Sequence, residues 1–119
     1  MQKNYRNEQM LLYSILKSKL EGCKIRLEYE VWLKPSSETK TTFCIPDIVI
    51  LYDQGKKIAI RMMGEKHTSS CIISRKDKSQ KQALEHNGWK VIDIEKEYYP
   101  RLWDNIIDNI EINKILDLM

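Results

Sequence analysis

Asp47 stands directly after Pro46 inside the apolar run Ile45-Pro46-Asp47-Ile48-Val49-Ile50. A carboxylate in such a run is costly unless it is paired or put to use. Strand alternation places Asp47 on a face with Val49 and Leu51. On the run from Lys57 to Met63 it sets Ala59, Arg61 and Met63 on one face and Ile58, Ile60 and Met62 on the other. If the two runs pair through the turn at Tyr52-Asp53-Gln54-Gly55-Lys56, Asp47 comes opposite residues 61 to 63, and a carboxylate, a guanidinium and a thioether meet at one spot. Partly buried opposite charges favour each other, so Arg61 is expected to form its ion pair with Asp47. A second group is cationic: Arg75, Lys76, Lys78 and Lys81 gather at the start of a helix, beside Lys66 and His67. Helix N-terminal amides and clustered cations suit a phosphate backbone, although such a run also serves as an ordinary solvated helix face.

The elements that must position these residues follow from periodicity and punctuation. Asn7 is placed to cap a first helix through Leu20, with Met10, Leu11, Ser14, Ile15, Lys17, Ser18 and Leu20 read as its inward stripe and Gly22 as its stop. Ile25 to Leu33 alternates as one strand. Lys34-Pro35-Ser36-Ser37-Glu38-Thr39-Lys40 reads as a hairpin loop, and the returning strand runs from about Thr41 to Leu51. With the strand from Lys57 to Met63 this makes an antiparallel meander. Ser74 to Asn87 reads as a second helix, stopped by Gly88, and Trp89 to Ile94 as a strand that joins in parallel after the helical crossover. Tyr99-Pro100 opens a third helix with Leu102, Ile106, Ile110 and Ile115 recurring on one side. The expected fold is α/β, a mixed sheet with an antiparallel meander and one parallel strand, flanked by helices. Trp89 and Trp103 are expected in the core and Trp32 at the surface.

Composition limits the function classes. The 119 residues, 42% hydrophobic and 31% charged, suit a single globular domain over 1–119 and neither disorder nor a membrane span. The polar start, Met1-Gln2-Lys3-Asn4-Tyr5-Arg6, lacks the apolar centre of a signal peptide, so an intracellular, cytoplasmic site and no membrane partner are expected. Cys23, Cys44 and Cys71 are odd in number and widely spaced, which favours reduced packing thiols over disulfides or zinc. A net charge of +3 is compatible with a nucleic-acid partner and too small to argue for one.

Several short motifs fall in a particular order: Glu8 in the first helix, Pro46-Asp47 on a strand, the Gly-x-x-His step from Gly64 to His67 after an apolar strand, then Asp77, Leu84 and Gly88-Trp89. From about Tyr5 to Trp103 this order resembles the PD-(D/E)XK nuclease superfamily. The nearest branch contains very-short-patch repair endonucleases and the RAP domains of organellar RNA-binding proteins. The resemblance implies a three-layer, restriction-endonuclease-like core. It also implies a Mg²⁺ ion held by carboxylates against a phosphate oxygen, with a lysine or its substitute orienting the attacking water. It assigns metal binding to Asp47 and Glu8, and catalytic positions to Asp47, Glu8, Glu65, Lys66 and His67. At the positions where the family carries its second acid and its lysine or aspartate, this chain has Arg61 and Met63. A guanidinium competes for the carboxylates, and a thioether is a poor ligand for a hard cation.

Three functions are therefore weighed. The first is a protein that binds nucleic acid, DNA ahead of RNA, through Arg75, Lys76, Lys78 and Lys81 and cuts poorly or not at all. The second is a working Mg²⁺-dependent endonuclease that uses Glu8, Asp47 and a relocated acid such as Glu65. The third is a protein-interaction module or inhibitor. The late apolar stripe of Ile106, Ile107, Ile110, Ile112, Ile115, Leu116 and Leu118 is wider than one small sheet needs, which suits either a homodimer through the C-terminal helix or simple packing within the chain. Alone, Glu8 has a plainer reading as an acid favoured by the helix dipole, and His67 as a loop residue.

Overall fold

A computed structural model describes residues 6–35, 42–63 and 71–119, with residues 71–77 described by backbone alone. The elements in chain order are α1 (Arg6–Lys19), β1 (Cys23–Leu27), β2 (Val31–Trp32), β3 (Phe43–Cys44), β4 (Ile48–Tyr52), β5 (Lys57–Met63), α2 (Cys71–His86), β6 (Trp89–Glu95), α3 (Pro100–Trp103) and α4 (Asn109–Leu118). Four strands form a mixed sheet in the order β1-β4-β5-β6. The first three are antiparallel, and β6 lies parallel to β5. β2 and β3 pair with each other in a separate two-stranded sheet.

The period-2 pattern of the strands sorts the interior into two cores. Ile25, Ile48, Ile50, Ile58, Ile60, Met62, Ile92 and Ile94 point to one face, where Leu12, Ile15 and Leu16 of α1, Leu102 and Trp103 of α3, and Ile112 and Ile115 of α4 cover them. Val49, Ala59 and Trp89 point to the other face, under Ala83 and Leu84 of α2 and the inward side of the β2–β3 pair, Val31, Leu33 and Cys44. Helices thus flank both faces of the sheet, as expected of an α/β fold. Trp103 places its indole N–H on the Ile94 carbonyl at 3.1 Å, which lets a large polar-tipped ring sit in the core.

Several boundaries differ from the sequence pattern. The strand expected from Ile25 to Leu33 breaks after Leu27: Glu28 still gives its N–H to the Asp47 carbonyl at 3.1 Å, in register, and its left-handed φ of 48° then turns the chain out of the sheet. The returning strand breaks at Ile45-Pro46-Asp47 for a related reason. Continued in register, Met62 would face Pro46, which has no N–H to give to a ladder. Asp47 thus lies at the mouth of β4 rather than inside a long strand. α1 begins at Arg6, so Asn7 is inside the helix and not its cap. Its buried stripe is Gln9, Leu12, Ile15 and Leu16, one step round from the stripe read in the sequence.

The single C-terminal helix expected from Pro100 is two helices. The chain turns at Asn105, with φ 61°, and restarts at Asp108, whose carboxylate accepts from the Ile110 N–H at 2.8 Å. Ile106 and Ile110, expected on the inner stripe, are exposed at 46% and 77%, while Ile112 and Ile115 fill the core. The turn is fixed from inside by Glu111. Its buried carboxylate accepts from the amides of Arg101 and Leu102 at 3.1 and 3.0 Å, capping the start of α3 from the first turn of α4. The glycine stop of α2 is as expected: the helix ends at His86, and Gly88 takes a φ of 85°.

Candidate functional site

At the C-terminal ends of β5 and β6, on the α2 side of the sheet, the parallel register sets Arg61 beside Asp93. The guanidinium meets the carboxylate in a fork: Nε to Oδ1 at 2.7 Å and Nη2 to Oδ2 at 2.8 Å. Arg61 is only 7% exposed, so this two-pronged, charge-assisted contact holds the side chain in one geometry. Asp47, 6% exposed, meets β5 differently: its Oδ2 accepts from the Met62 N–H at 2.7 Å. The carboxylate thus takes the Met62 N–H at the point where the β4–β5 ladder ends at Pro46, whose own nitrogen has no hydrogen to give.

This arrangement corrects one sequence expectation. Among the described residues the ion-pair partner of Arg61 is Asp93, not Asp47. Alternation along β5 puts Arg61 on the face of Ala59. What it lacked was the register of β6, a strand separated from β5 by a whole helix. The available signal was that Asp93 is a single acid among Val91, Ile92 and Ile94, with the parity of Val91.

The helix α1 approaches the same corner through a different residue from the one expected. Gln9, fully buried, donates its Nε2 to the Asp47 carbonyl at 2.9 Å, the same carbonyl that receives the Glu28 N–H. Glu8, assigned to a metal alongside Asp47, instead accepts from Asn105 Nδ2 at 3.0 Å, at the turn between α3 and α4. Glu8 Oε2 and Gln9 Oε1 are buried acceptors without a hydrogen-bond partner among the described residues. Glu65, Lys66 and His67 lie outside the described residues, as does Asp77 beyond its backbone.

The donor set can be tested against a magnesium ion. Mg²⁺ takes oxygen ligands in a near-octahedral shell and uses carboxylates to offset its charge. Here one oxygen of Asp47 already holds a backbone N–H, Glu8 is directed to Asn105, and Asp93 is engaged by a guanidinium. Among the described residues no group of three or more His, Cys, Asp and Glu side chains is placed to hold a metal. The described residues do not fit the ion.

Cys44, buried on the same side, carries a further mark of Arg61. Burial pushes its thiol above the ordinary 9.0, and the nearby guanidinium acts in the opposite sense. Cys44 and the half-buried Cys23 are free thiols, as expected, while the Cys71 side chain lies outside the described residues.

The cationic group lies on α2. Lys78 is exposed and Lys81 half-buried, whereas Arg75 and Lys76 fall on helical backbone whose side chains are outside the described residues. The helix starts at Cys71, three residues before Ser74, so all four cations lie within it rather than crowding its first turn. At its far end Asn87 ties it to the β2–β3 pair. The Asn87 Oδ1 accepts from the Lys34 N–H at 2.9 Å, and its Nδ2 donates to the Lys34 carbonyl at 3.2 Å.

Fold and site together define an α/β protein with a helix-flanked mixed sheet and a partly buried Arg–Asp fork toward the ends of its parallel strands. No protein-family model matches the chain, and no curated protein matches it. No helix among the described residues is long and apolar enough to cross a membrane.

Proposed function

We propose that this chain is a nucleic-acid-binding protein on a nuclease-like scaffold whose metal site has been lost, so that it grips a phosphate backbone without hydrolysing it. The observation that carries this reading is the Arg61–Asp93 fork at 2.7 and 2.8 Å. The strand position that would present an acid to a metal presents a cation instead, and that cation is locked to the nearest acid of the neighbouring strand. Separating such a pair leaves an uncompensated buried charge, so Asp93 is not readily released to an ion. The order of elements, a helix, an antiparallel meander, a helix, a parallel strand and further helices, supports the nuclease-like scaffold. The cations of α2 supply the phosphate contacts.

The test is fluorescence anisotropy with labelled single- and double-stranded DNA and RNA over a salt series. Binding should weaken steeply with salt, and the slope should flatten by about one unit for each phosphate contact removed by Lys78→Ala or Lys81→Ala. Salt-independent binding, or none, would remove the proposal. The metal-site half has its own test. Arg61→Glu with Met63→Lys places a second carboxylate beside Asp93 and within the reach of Asp47, and should give a measurable heat on titration with Mn²⁺. A flat calorimetric trace would count against a displaced metal.

The exposed C-terminal isoleucines favour a second copy of this chain as a further partner. Ile106, Ile107, Ile110 and Leu118 are all exposed on α4 and the turn before it. Light scattering should give a dimer mass that Ile110→Asp halves, and an unchanged monomeric mass of wild type would remove the dimer.

A further inference from the structure

The β2–β3 pair is apolar on both of its faces. A two-stranded sheet packed on one side normally turns polar residues outward, and its inward residues here, Val31, Leu33 and Cys44, do enter the core over α2. Its outward residues, however, are Trp32, 75% exposed, and Phe43, 37% exposed, which sit opposite each other in register. Their ring centroids lie 4.9 Å apart at a 48° tilt, so Phe43 buttresses the indole and holds it in place. Tyr29 and Ile45, on the segments flanking the pair, are exposed as well. The other two tryptophans, Trp89 and Trp103, are buried. Core packing does not require an aromatic pair at this surface.

The pair packs on the same face of the sheet as α2, and the two-way hydrogen bonding of Asn87 with Lys34 fixes its base to the end of that cation-bearing helix. The exposed side chain of Lys34 stands beside it. A negatively charged backbone following α2 would therefore bring its bases toward the rings. Bases in a duplex are already stacked on one another; only unpaired bases have a free face for an aromatic side chain. From the outward Trp32–Phe43 pair and its attachment to the basic helix we infer that the β2–β3 sheet is a base-stacking platform, and that the nucleic acid bound is a single-stranded segment. This rests on the nucleic-acid-binding reading above and adds to it the strand class and the residues that read it.

The test compares oligo(dT), an oligomer of abasic sugar phosphates of equal length, and a duplex, with wild type, Trp32→Ala and Trp32→Phe. Wild type should prefer oligo(dT) to both other probes. Trp32→Ala should weaken oligo(dT) binding by between about 5-fold and 150-fold, the loss of one stacked base. It should leave the abasic probe and the salt slope unchanged, and Trp32→Phe should recover most of the loss. Quenching of the tryptophan emission on titrating wild type with oligo(dT), absent from Trp32→Phe, gives a second readout. Unaltered oligo(dT) binding by Trp32→Ala, or wild-type emission unchanged at saturation, would overturn the platform while leaving salt-dependent binding through α2 intact. A dimer mass lost in Trp32→Ala, with oligo(dT) affinity unaffected, would overturn it in favour of a second copy. Absence of any salt-dependent binding would instead sink the parent reading.

Discussion

The two faces of the central sheet do different work with the same strands. Toward α1, α3 and α4 the sheet presents an unbroken field of isoleucines and Met62, closed by leucines, isoleucines and Trp103 from three helices. Toward α2 it presents a smaller apolar patch and then, at the ends of β5 and β6, the Arg61–Asp93 fork next to Asp47. The first face is held by area removed from water, which is insensitive to direction. The second depends on a few directed contacts whose partners must all be present. A fold that retains a costly charged corner on one face can do so because the other face supplies ample apolar burial.

The contrast can be broken most severely on the apolar face. Ile60 is fully buried, and Ile60→Ala should destabilise the fold by about 2–5 kcal/mol, read as a lowered urea midpoint with an unchanged slope. On the charged face, Arg61→Met should cost about 2–4 kcal/mol because Asp93 is left unpaired in a partly buried place, yet adding Asp93→Leu should recover most of that loss. A double variant no more stable than the single one would show that the fork contributes more than mutual compensation. Glu111→Gln removes a buried carboxylate from the two amides at the start of α3 and should cost about 1–2 kcal/mol, with lost near-ultraviolet signal from Trp103.

The smallest effect is a pH dependence. Burial raises the Cys44 thiol above 9.0 and the Tyr99 hydroxyl above 10.0, the latter also through Glu111 and Glu95. Both groups are thus held neutral by the fold. The stability they contribute is complete below their unfolded values and is lost as pH rises through the folded ones. The urea midpoint should hold steady near neutrality and fall above about pH 9, less steeply in Cys44→Ala. An identical alkaline slope in that variant would place the effect elsewhere.

Much of this contrast was legible in the sequence. The alternation of Lys57 to Met63 assigned Ile58, Ile60 and Met62 to one face and Arg61 to the other. The Trp32, Trp89 and Trp103 environments and the parallel placement of β6 also followed from local pattern. What local pattern misplaced was set by single contacts distant in sequence. Glu28 ends its strand by turning to a left-handed φ just after its N–H meets the Asp47 carbonyl, and the last helix divides where Glu111 reaches back to cap α3. Arg61 takes Asp93 rather than Asp47 because a register fixed across the α2 crossover brings that acid alongside. Gln9 is not legible in the sequence because an amide in a helix carries no periodic signal, whereas its neighbour Glu8 has the charge that a metal site calls for.

Binding without strand scission is the property on which the functional reading turns. A cleavage time course on single- and double-stranded DNA and RNA, in Mg²⁺ and in Mn²⁺, with wild type beside Asp47→Ala, measures it directly. The expected result is retained, intact nucleic acid with both proteins in every metal. Metal-dependent cutting by wild type that Asp47→Ala abolishes would contradict it and identify a working nuclease.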